Sequence, residues 1–336
     1  MIELEGVSSS ASAREARHLV LSEITLRINS GQIFGIVDRD GASAAALARL
    51  LSFVELPTSG NVYVFGEEVT ARGQANLRRL RRLVGVVLCR ADWLHAQTAA
   101  ESIAWPLRMA GWHDADVRLR VQEVLQQLGL EAEADTLSSA LSPASQCAVA
   151  VGRAIAGRPK FLLCNDITVG LDSAGRHQVL SLIDDINREL GLTVLLMTRE
   201  IGVLRRVCDQ VAVLEGGEVV ECGAAADVFL HPRHAVTRAL LSESARRDIR
   251  KLAVDPRTQG SRVVRLTFTG QMSFGSHLPD LARDAGEGFS ILGGRIDRIR
   301  RTPYGELMLA YSGDNVDRAV ELLAKRGASN IEVLHH

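Results

Sequence analysis

The residues Asp38-Arg39-Asp40-Gly41-Ala42-Ser43-Ala44-Ala45 stand between an apolar run, Ile33–Val37, and an Ala/Leu-rich segment that opens near Ala42. A strand, a short loop and a helix N-terminus in this order can cradle phosphate, because the first amides of the helix lack partners and face the loop. The chemistry needs the pattern G-x-x-x-x-G-K-[ST]: glycines for close backbone approach, an ammonium for the phosphates, a hydroxyl for Mg²⁺. In this register Asp38 takes the place of the first glycine, Ser43 the second, Ala44 the lysine and Ala45 the hydroxyl residue. The first lysine of the chain is Lys160, so no shift of register supplies one. Asp38, Arg39 and Asp40 sum to a charge of −1, where a phosphate site wants positive charge. The competing interpretation is a plain strand–turn–helix of a parallel α/β fold.

The surrounding elements must position this loop. Met1–Val7 and Ile24–Ile28 alternate as half-buried strands do, with a small polar turn, Ser8–Arg17, between them. Pro57–Gly60 reads as a turn before a strand at Val62–Gly66, and Leu83–Leu88 as a further strand. Asp92–Leu130 is helical in pattern. The strand Phe161–Cys164 stops at Asn165-Asp166, a helix leads to the strand Val194–Met197, and Glu215-Gly216-Gly217-Glu218 marks a hairpin. Strands alternating with helices predict a mainly parallel sheet with functional loops at the strands' C-terminal ends.

Periodicity lapses at 242–261, which reads as a linker between residues 1–241 and 262–336. The second segment follows the order βαββαβ, with strands at Val263–Thr269, Phe289–Arg298, Leu307–Tyr311 and Ile331–Leu334. Its helices fall at Leu278–Ala285 and Val316–Lys325, a ferredoxin-like split βαβ.

Composition bounds the rest. With 336 residues, 46% hydrophobic and 24% charged, the chain can build two globular domains. A net charge of −1 gives no reason to expect a nucleic-acid partner. Five cysteines without C-x-x-C spacing read as free thiols of a reducing cytosol. No apolar stretch approaches the roughly 20 residues of a membrane span, so membrane work would go through a partner.

Ser30–Gly35, Pro57–Gly60, Arg153–Ala156, Gly191–Leu196 and Cys208–Leu214 resemble the ATP-binding subunit of an ABC importer, specifically that of the bacterial methionine importer. Leu266–Gly270 and Ser290-Ile291-Leu292 resemble the NIL domain of that family. The resemblance implies an ABC-type P-loop NTPase fold with a C-terminal ferredoxin-like NIL domain. It also implies ATP and Mg²⁺ as cofactors, a membrane permease as partner, a second ATPase subunit paired head to tail, and a methionine-like ligand at Ser290, Ile291 and Leu292. Thr98–Leu107 resembles the segment that faces the permease, which puts a docking surface around Leu94–Trp112 and the protein on the cytoplasmic face of the membrane.

The departures from the family pattern touch every motif that the resemblance assigns to the nucleotide site, although Ser142 survives and Asp172 keeps its position. The adenine-stacking aromatic falls near Ala11, in a stretch without aromatics. At Asp38, Gly41, Ser43, Ala44 and Ala45 neither ammonium nor metal-binding hydroxyl is available. Cys89 replaces the glutamine that attends the metal and the attacking water, and a thiol suits a hard cation poorly. The signature Leu-Ser-Gly-Gly-Gln becomes Leu141-Ser142-Pro143-Ala144-Ser145, in which Pro143 has no N–H to donate. Asn165 replaces the metal-holding aspartate and Asp166 the catalytic glutamate, shorter by one methylene. Arg199 replaces the switch histidine and cannot accept a hydrogen bond. Chemistry removed from an otherwise normal scaffold predicts a silent ATPase subunit that docks on a permease. The alternatives are a working ATPase and an amino-acid-sensing module built on the NIL domain.

Overall fold

A computed structural model describes residues 1–10, 19–39, 41–69, 74–87, 97–252, 262–269, 289–300, 302–311 and 330–334. The chain divides into two units, Met1–Cys222 and Gly223–His336. In the first, β1 (Ile2–Ser10), β2 (Leu19–Ile28), β4 (Ser59–Val64) and β5 (Glu67–Glu68) form an antiparallel sheet in the order β2-β1-β4-β5. Ser8, Ser9 and Ser10, expected in a turn, continue β1 instead. Ser8 and Ser9 are buried, and the Ser8 hydroxyl accepts from the Glu23 N–H at 3.0 Å. Small hydroxyls satisfied in this way fit a sheet interior.

The second sheet runs β10 (Glu218–Ala224), β9 (Gln210–Glu215), β3 (Ile33–Asp38), β8 (Thr193–Thr198), β7 (Phe161–Asn165), β6 (Val84–Val87). From β9 to β6 the strands are parallel. Every residue of β3 and β8 is buried, which is why both read as unbroken apolar runs and not as alternating ones. Gly216 and Gly217 have φ of 58° and 88°, the positive pair that a two-residue hairpin turn between β9 and β10 requires.

Helices α1 (Ala42–Leu51), α2 (Gln74–Arg81), α3 (Ala99–Met109), α4 (Asp114–Leu128), α5 (Pro143–Ile155), α6 (Ser173–Leu190) and α7 (Ile201–Val207) join the strands. The helical stretch expected from Asp92 is therefore two helices, parted at Gly111 with φ 80°. Leu47, Leu50 and Leu51 of α1 pack with Phe34, Ile36, Leu195 and Met197 in one core. On the other face of β3 Gly35 makes room for α7 and β9: a Cβ there would lie 2.8 Å from Cys208 Sγ and 3.0 Å from Leu204 and Val211. Gly35→Ala is expected to cost about 1–3 kcal/mol as overpacking. Urea unfolding checks this, and Cys208→Ala in the same chain should recover part of the loss.

In the second unit α8 (Ala225–Leu230) and α9 (Ala235–Leu252) precede four strands. The helix continues through residues 242–252, which the sequence reads as the start of a linker. Arg, Glu, Lys and Leu favour helix even where apolar periodicity fades. Strands β11 (Arg262–Thr269), β12 (Phe289–Ile299), β13 (Thr302–Tyr311) and β14 (Asn330–Leu334) pair antiparallel in the order β12-β13-β11-β14. A split βαβ chain has this order. The two helices expected between these strands, and most of the linker, lie outside the described residues. Among the described residues no helix is long and apolar enough to cross a membrane.

Candidate functional site

Three adjacent parallel strands, β3, β8 and β7, end side by side, with Val37 opposite Thr198 and Asn165 opposite Met197. This edge gathers Asp38, the loop into α1, Asn165, Asp166 and Arg199. Asp40 and Cys89 lie outside the described residues, as does Ala11.

At the start of α1 the cap residue is Gly41, with φ 77°, and it has no side chain to offer the free amides. In α3, α5 and α6 the cap residue serves its own helix: Thr98, Ser142 and Asp172 accept from the amides of Glu101, Ser145 and Gly175. For α1 the acceptor comes from the end of β3. Asp38 Oδ2 accepts from the Ala44 N–H at 2.8 Å, and Asp38 is 3% exposed. A carboxylate at a helix N-terminus is held both by the charge-assisted bond and by the helix dipole. The sequence presents Asp38 only as charge that repels phosphate. The structure shows the carboxylate already seated on one of the amides that a phosphate-binding loop offers.

Around this contact Ala44 is buried and Ala45 half-buried, each with only a methyl group. Ser43 is buried as well. Asp166 sits in the left-handed region, φ 49°, donates its N–H to Met197 O at 2.8 Å and accepts from Val169 N–H through its carbonyl. Aspartate tolerates that conformation better than most residues. Arg199 is exposed next to Glu200, whose carboxylate pairs with Arg176 at 3.1 Å. Ser142 and Pro143 are exposed at the start of α5. The Ser142 hydroxyl is engaged with Ser145, and Pro143 occupies the first helical position, where a missing N–H costs nothing.

A triphosphate with Mg²⁺ does not fit these residues. The Ala44 amide already holds an anion, methyl groups stand where ammonium and hydroxyl ligands are needed, and Asn165 is neutral where a cation wants a carboxylate.

Two other predicted regions are placed as follows. On α3, Ile103 and Leu107 are buried, while Trp105 is 48% and Met109 72% exposed, one turn apart on the other side. Trp112 follows at the helix end, 37% exposed. The Thr98/Glu101 capping box fixes where this helix starts, and its T-x-x-E signal is present in the sequence. Ser290, Ile291 and Leu292 lie on β12, an edge strand. Ile291 is 55% exposed, so it is no core residue, and Leu292 falls at a bulge between Ile291 and Gly293. Arg120 carries no signal in the sequence that separates it from other arginines on α4. It is 6% exposed and donates to the carbonyls of Ile155 and Ala156 at the end of α5.

Comparison with known proteins agrees with this architecture. The ABC transporter family matches residues 21–169 and the NIL domain family residues 262–331. A protein of Caulobacter vibrioides described as methionine import ATP-binding protein MetN is 42% identical over 323 residues, covering 95% of this chain and 94% of its own. One of Pseudomonas syringae, described as MetN 1, is 42% identical, covering 95% and 96%. A dimeric ATP-binding cassette solved in a post-hydrolysis state with ADP and Pi superposes with a TM-score of 0.60 at 26% identity, over 67% of this chain and 99% of that one. CbiO1 of Clostridium perfringens, at 22% identity and TM-score 0.64 over 74% and 94%, shares the fold. With its ABC ATPase unit and its NIL domain, the chain belongs to the family of ABC-importer ATP-binding subunits that these relatives represent.

Proposed function

We propose that this chain is the cassette subunit of an amino-acid importer of the methionine type, and that it docks on a membrane permease without turning over ATP itself. The carrying observation is the Asp38 carboxylate on the Ala44 amide, beside the methyl groups of Ala44 and Ala45. The relatives' descriptions support methionine as the transported class. Trp105 and Met109 suit docking, since aromatic and Met side chains exposed on one helix face are what interface cores use. Such a subunit sits on the inner face of the membrane through its permease and pairs with a second cassette. An intact partner would still meet Ser142-Pro143-Ala144-Ser145 at one composite site and Asp38–Ala45 at the other.

The test reconstitutes the full chain with a permease of the methionine-importer type and measures capture and Mg-ATP turnover. Wild type should be captured with no turnover above background. Trp105→Ser with Met109→Ser should weaken capture by roughly tenfold or more, as loss of central anchors does. Turnover that disappears in Asp166→Ala would overturn the silent reading, and undiminished capture of the double variant would overturn the docking face.

A further inference from the structure

The phosphate loop of this chain is occupied by part of the chain itself. Asp38 Oδ2 lies 2.8 Å from the amide of Ala44, the third residue of α1. The same position accepts a cap in α3, α5 and α6, but there the acceptor belongs to the cap residue next to the helix. Here the cap is Gly41, the first turn contains no acidic residue, and the acceptor reaches back from the end of the central strand β3. The carboxylate is buried, and so are Ser43 and Ala44 on the turn it caps. A carboxylate and a phosphate oxygen ask the same thing of such amides, a charge-assisted hydrogen bond along the helix dipole. Only one anion can hold a given N–H, and a second arriving there meets like charge at short range.

We propose that Asp38 is an internal anion that occupies the Ala44 amide and excludes phosphate from the start of α1. This deepens the silent-subunit reading and rests on it. The barrier to anion binding at that amide would then be one removable side chain.

Inorganic pyrophosphate, titrated into the full chain by calorimetry, tests this without ATP or permease. Asp38→Gly should bind pyrophosphate roughly tenfold or more tightly than wild type. Asp38→Asn, which keeps an acceptor but drops the charge, should lie between them. In thermal melts without anion both variants should unfold below wild type, and pyrophosphate should raise the transition of the variants more than that of wild type. If Asp38→Gly does not fold, Asp38→Asn decides by the same two readouts. Equal pyrophosphate affinity in wild type and variants, or none in any of them, would overturn the proposal. Mg-ATP turnover by wild type is a separate outcome and overturns the silent reading alone, so the two failures can be told apart.

Discussion

A chain carrying Asp38→Gly, Ala44→Lys and Ala45→Ser together is expected to bind Mg-ATP on the order of 10²-fold more tightly than wild type, measured by equilibrium dialysis. The scaffold such binding needs is already built. β3 ends between β8 and β9 in an otherwise intact parallel sheet, and α1 starts four residues after Asp38 with its amides toward the loop. The lysine supplies charge-assisted bonds to phosphate, each contributing about 1.5–3 kcal/mol, and the serine supplies a hydroxyl for the metal. Ala44→Lys alone should gain little, because the Asp38 carboxylate already holds the amide of that same residue and would still repel phosphate there. The gain should therefore be strongly non-additive, as expected for groups in direct contact. A triple variant that folds and still binds no more tightly than wild type would place the defect in the wider site, at Asn165 or Arg199, and not in the loop. Hydrolysis is not expected even in the triple variant, since Asp166 remains one methylene short of the family's base and Ser142-Pro143-Ala144-Ser145 remain unchanged.

Arg120→Met should lower stability by about 3–4 kcal/mol, the largest loss expected from one surface-derived side chain here. Arg120 is 6% exposed and its Nε and Nη2 reach the carbonyls of Ala156 and Ile155 at 2.9 and 3.0 Å, while Nη1 pairs with Glu123 at 3.0 Å. These carbonyls stand at the end of α5, where the helical N–H partners run out, although Ile155 O also accepts from the Arg158 N–H at 3.0 Å. Methionine fills much of the volume but leaves the Ala156 carbonyl without its Arg120 donor and strips Ile155 O of its charged one, each loss being of the order of 1.5–3 kcal/mol for a charged donor. The unfolding midpoint should fall by roughly 10 °C for a unit of this size. Lysine should rescue little, because a point charge cannot reproduce the fork that spans both carbonyls. The pH dependence should change too. The Arg120 hydrogen bond is the main reason the Glu123 carboxyl sits below its usual 4.5, with Arg158 adding to it. A depressed carboxyl gives stability that is present above its unfolded value and lost as pH falls through the folded one. Arg120→Met should flatten that acid-side loss, and Glu123→Gln should flatten it while costing little at neutral pH, because the carboxylate is on the surface.

Much of the fold was legible because burial on both faces writes itself into a chain. Ile33–Val37, Phe161–Cys164 and Val194–Met197 are unbroken apolar runs, and all three are central parallel strands. Glu215-Gly216-Gly217-Glu218 announced its hairpin because two successive positive φ values are cheap only for such residues. The extent of β1 and α9 was not legible. Ser8–Ser10 have the composition of a loop and are strand because neighbouring strands pair with them, while the charged stretch after Ser242 is helix although its apolar periodicity lapses.

The candidate site divides in the same way. The sequence by itself determined which groups are present: no lysine before Lys160, three alanines after Ser43, an asparagine and an aspartate after Phe161–Cys164. It also determined the neighbourhood, since strand order in a parallel α/β sheet brings the ends of β3, β7 and β8 to one edge. What Asp38 does there was decided only by the tertiary structure. Ala44 lies six positions further along the chain, and whether the Asp38 carboxylate faces solvent, repels an anion or replaces one depends on how β3 is aimed at α1. The same holds for Arg120, whose partners lie 35 and 36 residues away. A hydrogen bond depends on direction within a few tenths of an ångström, and sequence spacing fixes that only inside a single helix or strand.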